Sequence, residues 1–148
     1  MGKFIVHTDG GSRSNPGPAA IGIVISNGKG QKLKEFGEYL GTATNNEAEY
    51  TAAIGALKKI KSLWGKENAK KSEVDMFADS ELLVKQMKGE YKIENAKMQP
   101  LFLELWNLII DFKKVKFSAI PRERNKEADR LVNEALDSQS TKRQLFSM

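Results

Sequence analysis

An early stretch of the chain reads Lys3-Phe4-Ile5-Val6-His7-Thr8-Asp9-Gly10-Gly11, in which apolar and β-branched residues end in one carboxylate and two glycines. Alternation places apolar side chains on both faces of this stretch, as expected for a central strand that is covered on both sides. Open α/β sheets bind ligands at the ends of their strands. Asp9 is therefore a candidate ligand-binding residue, although a lone aspartate at such a position is often a turn former or a helix cap.

The composition indicates a single globular domain. The chain has 148 residues, of which 40% are hydrophobic and 29% are charged, and this length suits one domain with a full core. The absence of cysteine excludes disulfides and thiolate metal sites and agrees with a reducing cytoplasm. No apolar run approaches the roughly 20 residues of a membrane span, so we expect a cytoplasmic protein that does not contact a membrane. The net charge of +5 and the pI of about 9.3 favour a polyanionic partner.

Apolar alternation predicts five strands in one mixed sheet. Turn residues over 10–18 form a loop after the first strand, and strands at 20–25 and 32–40 complete an antiparallel meander. The fourth and fifth strands are expected at 74–79 and 115–120. Because each of them follows a crossover helix, they run parallel within the sheet, and Asp79 leaves it at the same edge as Asp9.

Helical periodicity predicts four helices, the first of which follows the capping residues Thr44, Asn45 and Asn46 and runs to Trp64. Gly55 inside this helix indicates close packing against a neighbouring backbone. A polar linker is expected over 65–72. The remaining helices are expected at Glu81–Lys88, Leu101–Phe112 and Lys126–Asp137.

Two of these segments carry further expectations. The helix at 101–112 is apolar nearly all round, so we expect it to be largely buried. The domain is expected to occupy residues 1–137, followed by a polar, basic tail at 138–148. Leu145 and Phe146 in this tail either fray with it or pack on the body of the domain.

Four carboxylates lie where strands end or helices begin, namely Asp9, Glu49, Asp79 and Asp129. Taken singly, each is explained by helix capping or by solvation. Taken together, they can meet at one edge of the sheet, where their mutual repulsion requires protons or a counter-ion. A set of oxygen ligands without His or Cys suits a hard divalent cation such as Mg²⁺ or Mn²⁺.

The motifs around these acids resemble the successive signatures of type 1 ribonuclease H, in the order and spacing of that family. They are Thr8-Asp9-Gly10-Gly11 with Asn15-Pro16-Gly17, Thr44-Asn45-Asn46-Glu47-Ala48-Glu49-Tyr50, Ala78-Asp79-Ser80, and Pro121-Arg122-Glu123-Arg124-Asn125-Lys126-Glu127-Ala128-Asp129. The resemblance covers about residues 3–137. It implies an α/β ribonuclease H-like fold, a five-stranded mixed sheet in the order 3-2-1-4-5 with helices on both faces.

The resemblance also implies the catalytic and metal-binding set, which is Asp9, Glu49, Asp79 and Asp129. Glu47 competes for the glutamate position, but the family pattern places that acid three residues after the second Asn and so selects Glu49. Two Mg²⁺ ions, or Mn²⁺ in their place, would lie about 3.5–4 Å apart and act on the phosphodiester from both sides. Asp9 would bridge them, and the products would be a 5′-phosphate and a 3′-hydroxyl.

This chain departs from the best-known bacterial members of the family and is closer to a compact form found in archaea and some bacteria. Those bacterial members have a loop histidine before the last helix, whereas the one histidine of this chain is His7. A Pro-Arg-Glu segment stands in that loop, so Arg122 is implied to assist by holding a phosphate, or else is a solvated loop residue. The segment 89–100 is too short for an extra basic helix, and we expect no appended hybrid-binding domain.

The resemblance implies that an RNA/DNA hybrid is the partner, and residues near the acids are candidates to bind it. Each of them has an alternative explanation as a turn, cap, surface or core residue. The candidates are Gly10, Gly11, Asn15, Thr44, Asn45, Asn46, Ser80, Lys85, Lys88, Tyr91 and Asn125.

Two functions of different class follow. The first is a metal-dependent endonuclease that hydrolyses the RNA strand of RNA/DNA hybrids, and the second is a catalytically silent hybrid- or DNA-binding module with the same fold. The complete set of four acids favours the endonuclease. We expect a monomer without an obligate protein partner.

Overall fold

A five-stranded sheet forms the centre of the molecule. The computed structural model describes the backbone of residues 2–147 and the side chains of residues 2–142 and 145. The strands are β1 (Lys3–Ser12), β2 (Gly17–Asn27), β3 (Lys32–Ala43), β4 (Glu73–Ala78) and β5 (Lys114–Ala119). Their order across the sheet is β3-β2-β1-β4-β5, which confirms the predicted arrangement.

The first strand is central and pairs with strands of both directions. It runs antiparallel to β2, with Asp9 opposite Gly22, and parallel to β4, with Thr8 opposite Ala78. Because β1 and β4 run in the same direction, Asp9 and Asp79 leave the sheet at one edge, as predicted. The first two strands are longer than expected, since β1 continues to Ser12 and β2 begins at Gly17, so the predicted loop over 10–18 shortens to residues 13–16.

Five helices surround the sheet. They are α1 (Asn45–Trp64), α2 (Lys66–Lys70), α3 (Glu81–Met87), α4 (Gln99–Ile110) and α5 (Lys126–Ser147). The larger hydrophobic core lies between the sheet and the layer that contains α1 and α4. The last helix, α5, packs against β2 and β3 with Val132 and Leu136 beside Ala20. The short helix α2 occupies the segment predicted as a linker, with Ala69 fully buried.

The prediction that the apolar helix near residue 105 is largely buried is wrong. Leu105 and Leu108 of α4 are buried, because α4 packs against α1 along one side. On the remaining sides Leu103, Trp106 and Ile110 are 58%, 47% and 68% exposed. An apolar composition therefore did not indicate a helix surrounded by protein, since only one face of α4 meets a neighbour.

The predicted end of the last helix at Asp137 is also wrong. The helix α5 continues through the segment expected to be a tail and ends at Ser147. Leu145 is 65% exposed on it, so this residue does not pack on the body of the domain. The side chain of Phe146 lies outside the described part of the structure.

Glycines allow close contacts in this fold, but at other positions than expected. A methyl group on Gly55 would meet the side chains of Ile23 and Ile21, at 3.2 and 3.5 Å, and not a neighbouring backbone as predicted. Direct backbone contacts occur instead at Gly10 and Gly22, on either side of the sheet near Asp9. Within residues 2–147, no helix has the length and apolar character needed to cross a membrane.

Candidate active site

Asp9 lies near the end of β1 and is 5% exposed. The strand positions it because Phe4, Val6 and Thr8 alternate into the core and hold the backbone firmly up to that point. Its neighbour across β2 is Gly22, which has no side chain to cover it. The carboxylate therefore occupies a shielded place at the rim of the sheet.

Glu49 reaches the same place from the first turns of α1. The helix begins at a capping box, in which Thr44 Oγ1 accepts a hydrogen bond from the Glu47 N–H at 3.1 Å and Glu47 Oε1 accepts one from the Thr44 N–H at 3.0 Å. Of the three predicted capping residues, Thr44 is the cap, and Asn45 and Asn46 are the first residues of the helix. Since Glu47 is engaged in the cap, Glu49, which is 9% exposed, is the glutamate that faces the other acids.

The backbone of α1 rests directly on β1 beside Glu49. An ideal Cβ on Gly10 would lie 2.3 Å from Ala48 C and 2.5 Å from Glu49 N, which is far inside van der Waals contact. Only glycine fits at this point. Gly10, predicted as a substrate-binding residue, thus also brings α1 close enough for Glu49 to reach Asp9.

Asp9, Glu49 and Asp79 form a compact group. One carboxylate oxygen from each lies within 4.8 Å of the others. Asp79 follows β4 and faces Arg122, whose Nε is 3.8 Å from Asp79 Oδ2 and whose side chain is 79% exposed. Arg122 belongs to a short 3₁₀ helix (Arg122–Arg124) that precedes α5. The group thus combines a residue of β1, the residue that follows β4 and a residue of α1.

Asp129 lies in the first turn of α5 and lines the same crevice, which has a volume of about 260 Å³. It is outside the compact group of three, but its negative charge contributes to the raised pKa of Asp9. All four predicted acids therefore meet in one crevice. The structure brings them together from separate parts of the chain, as the sequence predicted.

The electrostatics of the group are those of a cation site. Burial, and then the charge of Asp79, raise the pKa of Asp9 from 3.8 to about 8. Burial and the charge of Asp9 raise the pKa of Glu49 well above its ordinary value. Glu49 Oε2 and Asp79 Oδ1 are buried and have no hydrogen-bond partner among the described residues. Buried carboxylate oxygens without partners are costly unless a proton or a hard cation satisfies them, so the group fits Mg²⁺ or Mn²⁺.

Comparison with known proteins agrees with this geometry. A family model described as reverse transcriptase-like matches residues 7–135. A crystal structure of LC11-RNase H1 in complex with an RNA/DNA hybrid superimposes with a TM-score of 0.87 at 42% identity, covering 92% of this chain and 98% of that chain. RNase H1 from the halophilic archaeon Halobacterium salinarum gives a TM-score of 0.85 at 36% identity, covering 93% and 99%. The chain belongs to the ribonuclease H family.

Membership of the ribonuclease H family confirms the resemblance noted in the sequence. A bifunctional protein of Mycobacterium tuberculosis is 36% identical over 137 residues, which are 92% of this chain and 36% of that protein. The chain thus spans only about a third of the length of this relative. The similarity concerns the ribonuclease H-like part of a longer protein.

Two predicted asparagines connect the loop after β1 to the start of α1. The Ser12 N–H donates a hydrogen bond to Asn45 Oδ1 at 2.8 Å, and the Asn45 N–H donates one to Asn15 Oδ1 at 3.0 Å. Both side chains are exposed, and Asn46 beside them is exposed as well. Both contacts use the amide oxygen as acceptor. Of the three asparagines, Asn45 lines the crevice beside Gly11, whereas Asn15 and Asn46 do not line it.

Thr44 and Ser80 act as helix caps. Ser80 Oγ accepts a hydrogen bond from the Leu83 N–H at 3.2 Å at the start of α3, as Thr44 does for α1. In the protein without ligand, their hydroxyl groups therefore stabilise the starts of these two helices. Each cap lies close to one of the acids in sequence, because the helix start follows the strand end directly.

The three residues predicted near α3 lie apart from the acidic crevice. Lys85 Nζ is 5.0 Å from the centre of the Tyr91 ring and 3.4 Å from its hydroxyl. Tyr91 is 51% exposed, so the alternative that it anchors the core is wrong. Lys88 is exposed. None of the three lines the crevice.

Asn125 is 2% exposed, and its side chain binds the backbone of β1. Its Nδ2 donates a hydrogen bond to Thr8 O at 2.8 Å, immediately before Asp9. The side chain was predicted to bind substrate, and the contact that it makes here is with the backbone of β1. His7 stacks on Phe77, with ring centroids 5.2 Å apart, and does not line the crevice.

Sequence reasoning missed three polar residues that line the crevice, Ser12, Arg13 and Asn133. Arg13 Nη2 is 2.6 Å from Asp137 Oδ1, and Asn133 Nδ2 donates a hydrogen bond to Asp129 O at 3.1 Å. Asn133 follows Asp129 by four residues, a helical spacing that places both on one side of α5. This spacing was the available signal, whereas Arg13 gave none beyond its position in a loop rich in turn residues.

Proposed function

We propose that this chain is a metal-dependent endonuclease that hydrolyses the RNA strand of RNA/DNA hybrids. The observation that carries the proposal is the group formed by Asp9, Glu49 and Asp79, with one oxygen from each within 4.8 Å of the others, inside a chain of the ribonuclease H family. Asp129 opens onto the same crevice. The similarity to LC11-RNase H1 in complex with an RNA/DNA hybrid supports this choice of substrate.

The four acids would hold two divalent cations, Mg²⁺ or, as a substitute, Mn²⁺. Asp9 would be the ligand that both cations share, because its carboxylate interacts with all three other acids, Glu49, Asp79 and Asp129. Glu49 and Asp79 would help to hold one cation, and Asp129 would help to hold the other. Bound there, the cations supply the positive charge that activates the attacking water and stabilises the departing 3′-oxygen.

The protein's own residues position the substrate and the acids. Asn125 and Gly10 hold β1 and α1 in place, so that the oxygens of Asp9 and Glu49 converge before any ligand binds. The exposed guanidinium of Arg122 beside Asp79 is suited to hold a phosphate group of the cleaved strand. Cleavage would leave a 5′-phosphate and a 3′-hydroxyl.

The surroundings of the crevice would recognise the hybrid. The amide of Asn45, which lines the crevice, and the exposed amides of Asn15 and Asn46 next to it are suited to the 2′-hydroxyl groups of RNA in a shallow minor groove. Lys85 and Lys88, further along, would contact the phosphate backbone, with an affinity that falls as salt rises. We further propose that the chain acts as a monomer in the cytoplasm, and analytical ultracentrifugation with and without hybrid tests the first part.

The proposal is tested by offering labelled RNA/DNA hybrid, DNA duplex and RNA duplex in Mg²⁺, in Mn²⁺ and in chelator. The expected result is cleavage of the RNA strand of the hybrid alone, lost in chelator and in the variant Asp9→Asn. The matched control is Asp75→Asn. Asp75 lies on β4, the strand that precedes Asp79, but it forms an ion pair with Lys3 at 2.9 Å and does not line the crevice. Binding of the hybrid without cleavage in either metal would support the silent-module alternative and contradict the proposal.

A further inference from the structure

A glycine on β2 receives the backbone of α5 directly beside Asp9. Gly22 pairs with Asp9 across the β1–β2 ladder. An ideal Cβ on Gly22 would lie 2.1 Å from Ala128 O and 3.1 Å from Leu131 Cβ. The main chain of α5 is therefore in contact with the sheet at this point, with no room for a side chain between them.

This contact decides where Asp129 enters the crevice. Ala128 is fully buried, and Asp129 is the next residue along α5. The helix is fastened to β3 on its outer side by Arg130, whose Nη2 is 2.6 Å from Glu35 Oε2. This ion pair ties α5 to the sheet, and the helix backbone rests on the sheet at Gly22. The depth of the helix at Gly22 therefore bears directly on how far the Asp129 backbone lies from Asp9.

We infer that Gly22 is a positioning residue, which sets the separation of Asp129 from Asp9 and so the geometry of the cation position that these two acids share. The inference rests on the proposed function. A methyl group at position 22 would force Ala128 O from 2.1 Å to at least 3.0 Å, a displacement of at least 0.9 Å. Metal–ligand distances tolerate only about 0.2 Å, so the shared position would lose affinity.

The experiment compares Gly22→Ala with the unchanged chain. Calorimetric titration with Mn²⁺ alone, without nucleic acid, is expected to show at least a tenfold loss of affinity at one of two sites. With hybrid and Mg²⁺, kcat is expected to fall about 100-fold, as for a misplacement near 1 Å, while KM for the hybrid stays within about twofold. The control is Gly28→Ala, where a Cβ meets only the Lys3 side chain at 3.4 Å or more and both quantities stay unchanged.

A second substitution separates positioning from loss of stability. Glutamate is one methylene longer than aspartate, so Asp129→Glu in the Gly22→Ala background is expected to restore part of the Mn²⁺ affinity. In the unchanged chain, Asp129→Glu is expected to lower it. If Gly22→Ala does not fold, Gly37→Ala replaces it, since a Cβ there would lie 2.5 Å from Leu131 O and requires a smaller shift of α5.

The outcomes are distinct. Unchanged Mn²⁺ affinity and kcat in the folded glycine variant overturn the inference, and so does a loss of affinity that Asp129→Glu makes worse. If the unchanged chain cleaves no hybrid at all, the proposed function fails, while the Mn²⁺ titrations still decide whether Gly22 sets the geometry of the acids.

Discussion

Replacing Asp9 with asparagine removes one charge from the centre of the acidic group and almost no volume. Asp9 is 5% exposed, and burial together with the charge of Asp79 raises its pKa to about 8. When the metal-free protein folds, Asp9 therefore either takes up a proton or stays charged in buried surroundings, close to another carboxylate, that disfavour the charge. Asn carries no such charge, so we expect Asp9→Asn to abolish cleavage and to stabilise the metal-free fold.

The size of the gain follows from proton linkage. The pKa of Asp9 is higher in the folded protein than its ordinary value of 3.8, so its contribution to stability is complete below pH 3.8 and is lost as the pH rises towards 8. At 1.36 kcal/mol per pH unit, the loss reaches about 4 kcal/mol at pH 7. In chelator at pH 7, the free energy of unfolding of Asp9→Asn should thus be up to about 4 kcal/mol higher than that of the unchanged chain, or roughly 10 °C in Tm. At pH 4 the difference should be small.

Urea unfolding measured in chelator between pH 4 and pH 8 tests this expectation. Adding Mg²⁺ should stabilise the unchanged chain and leave Asp9→Asn nearly unaffected, because the central ligand is missing. The control is again Asp75→Asn, which removes an ion pair that is 27% exposed on the acid side. The reasoning is refuted if Asp9→Asn is no more stable than the unchanged chain at pH 7 in chelator, or if their difference does not shrink towards pH 4.

Substitutions at four residues test the division of roles around the site. Glu47→Gln should lower the free energy of unfolding by at most about 1 kcal/mol, because it weakens the α1 cap, and should leave cleavage intact. Glu49→Gln should abolish cleavage. Equal cleavage activities of the two variants would contradict the assignment. Asn125→Ala should cost about 1–3 kcal/mol in urea unfolding, because Thr8 O loses a buried donor, and an unchanged midpoint would count against it. Arg122→Ala should lower kcat/KM about tenfold and Arg122→Lys much less, if its charge holds a phosphate; identical rates for both variants would exclude that role.

The sheet was predictable because its signals are local. Each strand carries its own alternation or apolar run, and the rule for parallel crossovers then places Asp79 beside Asp9 without further information. The burial of α4 was not predictable in the same way. Its sequence is apolar nearly all round, and only the arrangement of its neighbours decides that Trp106 and Ile110 stay exposed while Leu105 is covered. The extension of α5 to Ser147 likewise occurs in a polar segment with no strong stop signal at Asp137.

The acids of the site were predictable for a different reason, which is that they belong to motifs with a recognisable order. What the motifs do not contain is the packing that makes the acids converge. The family pattern selects Glu49 over Glu47, and the helix start gives the physical reason, since Glu47 turns back to the Thr44 cap while Glu49 faces the other acids. Asn125, which looks from its loop position like a surface contact, is buried because its amide is needed by Thr8 O.

The glycines next to Asp9 explain how a destabilising group persists in a well-packed fold. Three acids within 4.8 Å oppose close approach of the segments that carry them, yet backbones are in direct contact beside them at Gly10 and Gly22. Gly10 brings α1 onto β1 from one face, and Gly22 brings α5 onto β2 from the other. The favourable packing on both faces offsets the repulsion and leaves the acids little freedom to relax apart. A site built in this way is prepared for cations before they bind, so that their binding relieves repulsion without requiring the chain to rearrange.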